Sequence, residues 1–380
     1  MGAKGGLVMY LKIILEKLYD RKITLSILII FAISLGGCAM VQPKQVKDTI
    51  NQLSFSHDGK KILFDRCREN NCQIQVYELE TGELSAYQSP SNERWTMAKY
   101  SYDGKKIVFS AIPMGKEYLD LGNMQITVMD PDGKNLKKVT TGPGAKIYPI
   151  FSHSGKKVLY ARAGYIREKG STPAAQFDAW EVNLETGKEK QLTYRKFFIM
   201  SSLTYFPDDE WFICNASGPE QFLGVPEGNW TEIRKRQQEW AGKYKANTIF
   251  VLKEEEINHD EPYIVVGEKR FNSHSSNPLL NKNGEHLLFQ DFGDNFYLYS
   301  PDGNHRLVGG GGSVDSAAIS PDGELLGVIY AGWIITIYRV QDGSSQWISL
   351  AEQPPKRVYG PMRDKRIVTI PEQPTYIINR

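Results

Sequence analysis

The residues able to ligate a metal or attack an electrophile are few and scattered. Four cysteines and six histidines are spread over 380 residues. Cys67 and Cys72 bracket Arg68-Glu69-Asn70-Asn71 between two apolar runs. That spacing sets them across a hairpin end, within disulfide reach. Cys214, inside Trp211-Phe212-Ile213-Cys214, reads as a buried core thiol and not a nucleophile. His57 and His153 hold the same place in two similar segments, and His259 and His305 also fall in turns. His286 falls in a strand; only His274 faces the side of the long loops. A metal needs three or four converging ligands, so no resident metal or other cofactor is expected. The chain contains no Cys-x-x-Cys, His-Glu-x-x-His, Gly-x-Ser-x-Gly, P-loop or Gly-x-Gly-x-x-Gly. Gly309-Gly310-Gly311-Gly312 lacks a following helix pattern and makes no phosphate cradle. These residues predict a protein that is not an enzyme.

The elements that would position any site repeat along the chain. Ser54-Phe55-Ser56-His57-Asp58-Gly59-Lys60-Lys61-Ile62-Leu63-Phe64 is echoed at 100–109 and 151–160. More degenerate copies follow at 205–212, 281–289 and 319–326. Ser-x-Asp-Gly is turn chemistry, with Gly at the left-handed position, and the flanking apolar runs make each copy a hairpin. A second hairpin follows most copies, with turns at Thr81-Gly82, Pro131-Asp132-Gly133, Thr186-Gly187, Pro301-Asp302-Gly303 and Asp342-Gly343. Two hairpins per roughly 40–50 residues make one four-stranded propeller blade.

Ser-x-Asp-Gly-Lys-Lys-Ile-x-Phe, followed by a strand and a Gly turn, resembles the WD-repeat-like units of TolB-family propellers. The approach Tyr148-Pro149-Ile150-Phe151-Ser152 matches that family's Pro-x-Phe-Ser. The resemblance spans residues 51 to about 350 and implies an all-β fold, a β-propeller of four-stranded antiparallel blades. Six copies imply six blades. A seventh is the alternative, with strands at 365–370 and 375–378 joining 356–359 and a strand near Val46. The short segment 39–50 leaves no room for TolB's separate N-terminal domain, so the Tol–Pal role is not carried over. Similar propellers of the prolyl-oligopeptidase group accompany a hydrolase domain, and the missing Gly-x-Ser-x-Gly excludes that activity.

Near the start, Lys12, Lys17, Arg21 and Lys22 precede an apolar run, residues 23–35, and then Leu35-Gly36-Gly37-Cys38. A basic region, a short apolar region and small residues make a secretory signal peptide. The run is short for a spanning helix, which needs about 20 residues. Small residues before a Cys resemble the bacterial lipobox, which implies lipidation of Cys38. The expected organisation is a signal peptide over 1–37, lipidated Cys and linker over 38–50, propeller over 51–350 and C-terminal strands over 351–380. The expected place is the cell envelope, lipid-anchored on the periplasmic side of the outer membrane. Lys+Arg is 46 against Asp+Glu 44, with no block of like charge, so no nucleic-acid partner is expected.

Blade topology puts the Asp-Gly turns on one face. The connections between second and third strands lie on the other, with the inter-blade loops. Long segments of the first kind occur at 111–123, 163–178 and 216–247, in three consecutive blades. Long loops on a rigid scaffold are where binding concentrates. Asn229-Trp230-Thr231-Glu232 reads as a capping box, with Trp230, Ile233, Trp240 and Tyr244 sharing one helix face. That face packs on the propeller or docks a partner. The binding-rim residues are Arg94, Trp95, Lys146, Tyr148, Arg195, Lys196, Trp230, Arg234, Arg236, Trp240, Arg270 and His274. Solvation alone accounts for the rim charges; their slight positive excess would suit an acidic peptide or anionic glycan. The expected function is a non-catalytic scaffold for another envelope protein. The alternative is a glycan-directed lyase or hydrolase using the central funnel.

Overall fold

The computed structural model describes residues 48–68, 71–115, 119–165, 175–194, 196–197, 199–217, 248–253, 263–264, 276–290, 294–299, 305–310, 314–349, 362–369 and 375–377. The chain divides into two compact units, Met1–Val46 and Lys47–Arg380. The first unit, with Cys38, lies outside the described residues. Among the described residues no helix is long and apolar enough to cross a membrane.

The described strands form six sheets. The first holds β1 (Asp48–Phe55), β2 (Lys61–Arg68), β3 (Asn71–Glu78) and β4 (Leu84–Tyr87). The second holds β5 (Glu93–Tyr100), β6 (Ile107–Pro113), β7 (Gln125–Met129) and β8 (Lys137–Lys138). The third holds β9 (Lys146–Phe151), β10 (Lys157–Tyr165), β11 (Ala175–Asn183) and β12 (Glu189–Gln191). The fourth holds β13 (Ile199–Tyr205), β14 (Trp211–Ser217), β15 (Thr248–Lys253) and β16 (Tyr263–Ile264). The fifth holds β17 (Ser276–Leu280), β18 (Leu287–Gln290), β19 (Asn295–Tyr299) and β20 (His305–Gly310). The sixth holds β21 (Val314–Ile319), β22 (Leu325–Tyr330), β23 (Ile334–Arg339) and β24 (Ser345–Ser349). Within each set of four, neighbours in sequence pair antiparallel, which is the plan of a propeller blade. Five blades are described with side chains through all four strands. In the fourth sheet, β15 and β16 are described by backbone alone.

The first strand of each sheet is innermost. β1, β5, β9, β13, β17 and β21 touch in that order, and β21 returns to β1. A separate apolar core fills each joint. Leu63, Ile74, Trp95 and Phe109 join the first two sheets. Leu288, Phe296, Leu326 and Tyr338 join the fifth and sixth. Leu53, Phe55, Ile329 and Ile337 join the last sheet to the first. There a Cβ on Gly327 would stand 2.4 Å from Leu53 Cδ2, so only glycine admits the approach.

Each Ser-x-Asp-Gly segment turns the chain from first to second strand by the same bonds. The Ser56 hydroxyl donates to Asp58 Oδ1 at 2.6 Å and accepts the Lys61 N–H at 2.9 Å. Ser101 repeats this with Asp103 and Lys106. Gly59 and Gly104 take φ of 69° and 73°, the left-handed region.

The tail corrects the seven-blade alternative. β25 (Met362–Thr369) joins β24 in parallel, with Trp347 opposite Ile367. β26 (Thr375–Ile377) joins β4 in parallel, with Tyr376 opposite Ala86. Two strands that extend existing outer edges cannot build a blade of their own. The first blade begins at Asp48, three residues before the expected 51.

Candidate functional site

A channel of about 200 Å³ runs between the inner strands, lined from all six sheets. Gln52, Lys99, Tyr148, Ser202, Asn277 and Asp315 contribute its polar wall. Register breaks by a bulge in every inner strand. At five of the bulges a residue other than glycine takes positive φ: Gln52 (52°), Met97 (59°), Tyr148 (55°), Ser202 (51°) and Asn277 (46°). Such conformations cost about 1–3 kcal/mol each and persist where surrounding contacts impose them. Here those contacts cross between blades. The Tyr148 N–H points to Met97 Sδ at 3.4 Å. Ser202 Oγ donates to Asn277 Oδ1 of the next blade at 2.8 Å, and within that blade Asn277 Nδ2 donates to Gln290 Oε1. Sequence reasoning missed these bulges, because left-handed residues without a glycine leave no sequence mark.

It also missed Asp65, on β2 and 1% exposed. An acid directly after the apolar run Ile62-Leu63-Phe64, on the same strand, was the available signal. Its Oδ2 accepts the Thr96 hydroxyl and the Met97 N–H, while Oδ1 has no hydrogen-bond partner. Burial raises its pKa to about 6, against the lowering by Thr96, Met97, Arg94 and Lys99. Burial likewise pulls Lys99 down to about 8, opposed by Asp65. The Lys99 ammonium donates to the Leu53 carbonyl.

The turn face is knitted together by its histidines. His57 Nδ1–H donates to the Tyr102 carbonyl at 2.5 Å. The Tyr102 ring stacks on His153 with centroids 3.8 Å apart, and His153 Nε2–H donates to the Tyr205 carbonyl at 3.1 Å. Both side chains join successive turns. Among the described residues no three His, Cys, Asp or Glu side chains gather as a metal requires.

The opposite face carries the long connections, β6 to β7, β10 to β11 and β14 to β15. In the third blade the hairpin runs further than expected, with Arg162 opposite Asp178 and Tyr165 opposite Ala175. The 163–178 connection is thereby shortened to 166–174.

The expected rim residues divide sharply. Trp95 is 1% exposed, in the joint between the first two blades, and its Nε1–H donates to Glu93 Oε2. Lys146 is 0% exposed. Its ammonium donates to Met124 O at 3.0 Å, Gly142 O at 2.7 Å and Gln125 Oε1 at 3.2 Å. Burial, then Arg162, lowers its pKa to about 8, against Glu189. Both are corrections: these side chains hold the fold and offer no surface. Tyr148 lines the channel. Lys196 is exposed, with its N–H on Asp178 Oδ1 at 3.2 Å. Arg94 lies against a disulfide joining Cys67 to Cys72, which face each other on β2 and β3. Arg195, Trp230, Arg234, Arg236, Trp240, Arg270 and His274 lie outside the described residues. Cys214 is buried, and burial pushes its thiol up to about 12, where it is inert.

No family model and no curated protein matches the chain. Among solved structures it is similar to TolB from Acinetobacter baumannii, with 15% identity and a TM-score of 0.50 over 80% of this chain and 64% of that one. The chain thus spans less than two thirds of that TolB. It is also similar to an oligogalacturonate lyase from Vibrio parahaemolyticus, with 12% identity and a TM-score of 0.49 over 80% and 79%. At such identity the likeness to TolB speaks for the fold alone, and that fold is an all-β, TolB-like propeller.

Proposed function

We propose that this chain is a lipid-anchored cell-envelope protein whose six-bladed propeller is a non-catalytic binding scaffold for another envelope protein. One observation carries the reading: the long second-to-third-strand connections fall on consecutive sheets, β5–β8, β9–β12 and β13–β16, at the end opposite the interlocked turns. A rigid ring that gathers its longest connections on one rim offers a broad, adaptable contact surface. The lipid on Cys38 would tether it; one acyl chain binds weakly, and stable anchoring needs a second signal. To test the scaffold, the detergent-solubilised full chain is fixed to a resin and envelope extract is passed over it. Replacing residues 218–247, which leaves β14 and β15 whole, by a short Gly-containing turn should keep the melting temperature and lose the retained partner. Equal retention by both forms would remove the rim from the account.

The polar channel favours a second reading, a lyase or hydrolase acting on glycans. That reading requires a bound metal or turnover of an acidic oligosaccharide. Elemental analysis and a product assay on the same preparation separate the two.

A further inference from the structure

We propose that the cleft between the first and second blades is an anion subsite, with Arg94 as the fork that takes a carboxylate of an acidic peptide segment. The cleft, of about 490 Å³, opens beside the disulfide and is lined by Arg68, Asn71, Cys72, Gln88, Glu93 and Arg94.

Arg94 is the anomaly in it. Its Nη2 donates to Cys67 Sγ at 3.3 Å and to Cys72 Sγ, and sulfur is a weak acceptor. Its Nε is buried and has no hydrogen-bond partner. Among the described residues no carboxylate pairs with it. Burial lowers the guanidinium's pKa, and only the charge of Asp65 opposes that. A half-buried cation without a contacting anion carries part of its desolvation cost unmet.

Among the described residues the nearby acids are already engaged. Glu93 Oε1 accepts Lys138 Nζ, and Glu93 Oε2 accepts Trp95 Nε1. Asp48 holds Arg66 and Arg68 at 2.7 and 3.0 Å. Burial works against the Asp48 carboxylate, but its bonds to the two arginines win and hold its pKa below the usual range. Arg68 is 41% exposed, so part of its charge also faces the opening. Arg94 is half-buried and lines the cleft, so an incoming carboxylate would meet there a guanidinium that no described anion contacts, and charge-assisted bonds to guanidinium are strong and directional. The Asn71 and Gln88 carboxamides, both exposed, offer the donors and acceptors that a peptide backbone needs. The choice of a peptide rests on the scaffold reading; the anion site itself does not.

The test is fluorescence polarisation on the purified full chain in detergent. The probes are a labelled Gly-Asp-Glu-Asp-Glu-Gly peptide and its Asn/Gln counterpart. The acidic peptide should bind about tenfold tighter than the neutral one. Arg94→Gln should erase that difference, and Arg306→Gln, on the fifth blade, should keep it. Melting curves show whether each variant folds. If Arg94→Gln does not, Arg94→Lys, which keeps the charge and loses the fork, should still bind several-fold more weakly than wild type. Equal binding of the two peptides, or an unchanged preference in a folded Arg94 variant, would overturn the site. An oligouronate that competes far better than the acidic peptide would overturn the peptide assignment. None of these readouts uses the 218–247 replacement, so failure here is distinct from failure of the scaffold reading.

Discussion

The backbone N–H of Met97 donates to Asp65 Oδ2 at 2.8 Å, so a carboxylate in the first blade holds the left-handed bulge of the second. The burial of that carboxyl, which outweighs this bond and the Thr96 hydroxyl, makes ring stability depend on pH. Folding raises the Asp65 pKa from 3.8 to about 6. Between those values the folded chain holds a proton that the unfolded chain has released. Stability therefore falls as pH rises through that window, by on the order of 2–3 kcal/mol, and then levels. Urea midpoints of wild type and Asp65→Asn should diverge in favour of Asn between about pH 4 and 6. A difference independent of pH would refute this role.

Lys146→Met would strip the donor from three oxygens, Met124 O, Gly142 O and Gln125 Oε1. The expected loss is about 2–4 kcal/mol in urea unfolding, with partner retention unchanged. Lost retention at unchanged stability would return Lys146 to the binding surface.

Ending the chain at residue 361 would remove β25 and β26 and bare the outer edges of β24 and β4. Those blades are the last and first of the ring, so the tail binds both sides of its closing joint. Truncation should lower the melting temperature and promote self-association through the bared edges. Melting and light scattering unchanged from wild type would show that the tail strands contribute nothing to closure.

Cys67→Ser with Cys72→Ser would open a loop whose ends are five apart in sequence. For so short a loop the chain-entropy estimate is about 2 kcal/mol. Denaturation with and without reductant should show this loss in wild type and no reductant effect in the double variant.

The blade plan was legible because Ser-x-Asp-Gly writes its turn in local chemistry: a hydroxyl, a carboxylate and one left-handed glycine. The disulfide was legible because its two cysteines flank one turn. Lys146 and Trp95 were misread because charge and aromaticity do not say which way a residue faces at the start of an inner strand. Lys146 is set by the preceding blade and its exit, through Met124 and Gly142, and Trp95 by the core it shares with Leu63 and Ile74 of the first blade. The bulge at Tyr148 was invisible for the same reason: its N–H meets Met97 Sδ of the preceding blade, which no neighbouring residue in sequence announces.

The most direct measurement is amide hydrogen exchange on the chain with and without its captured partner. The scaffold account predicts new protection at the ends of the long connections, residues 112–115, 119–123 and 163–165, and none at the turns 56–59 and 101–104. Protection confined to the turn face or to the tail strands, with the long connections unchanged, would contradict it.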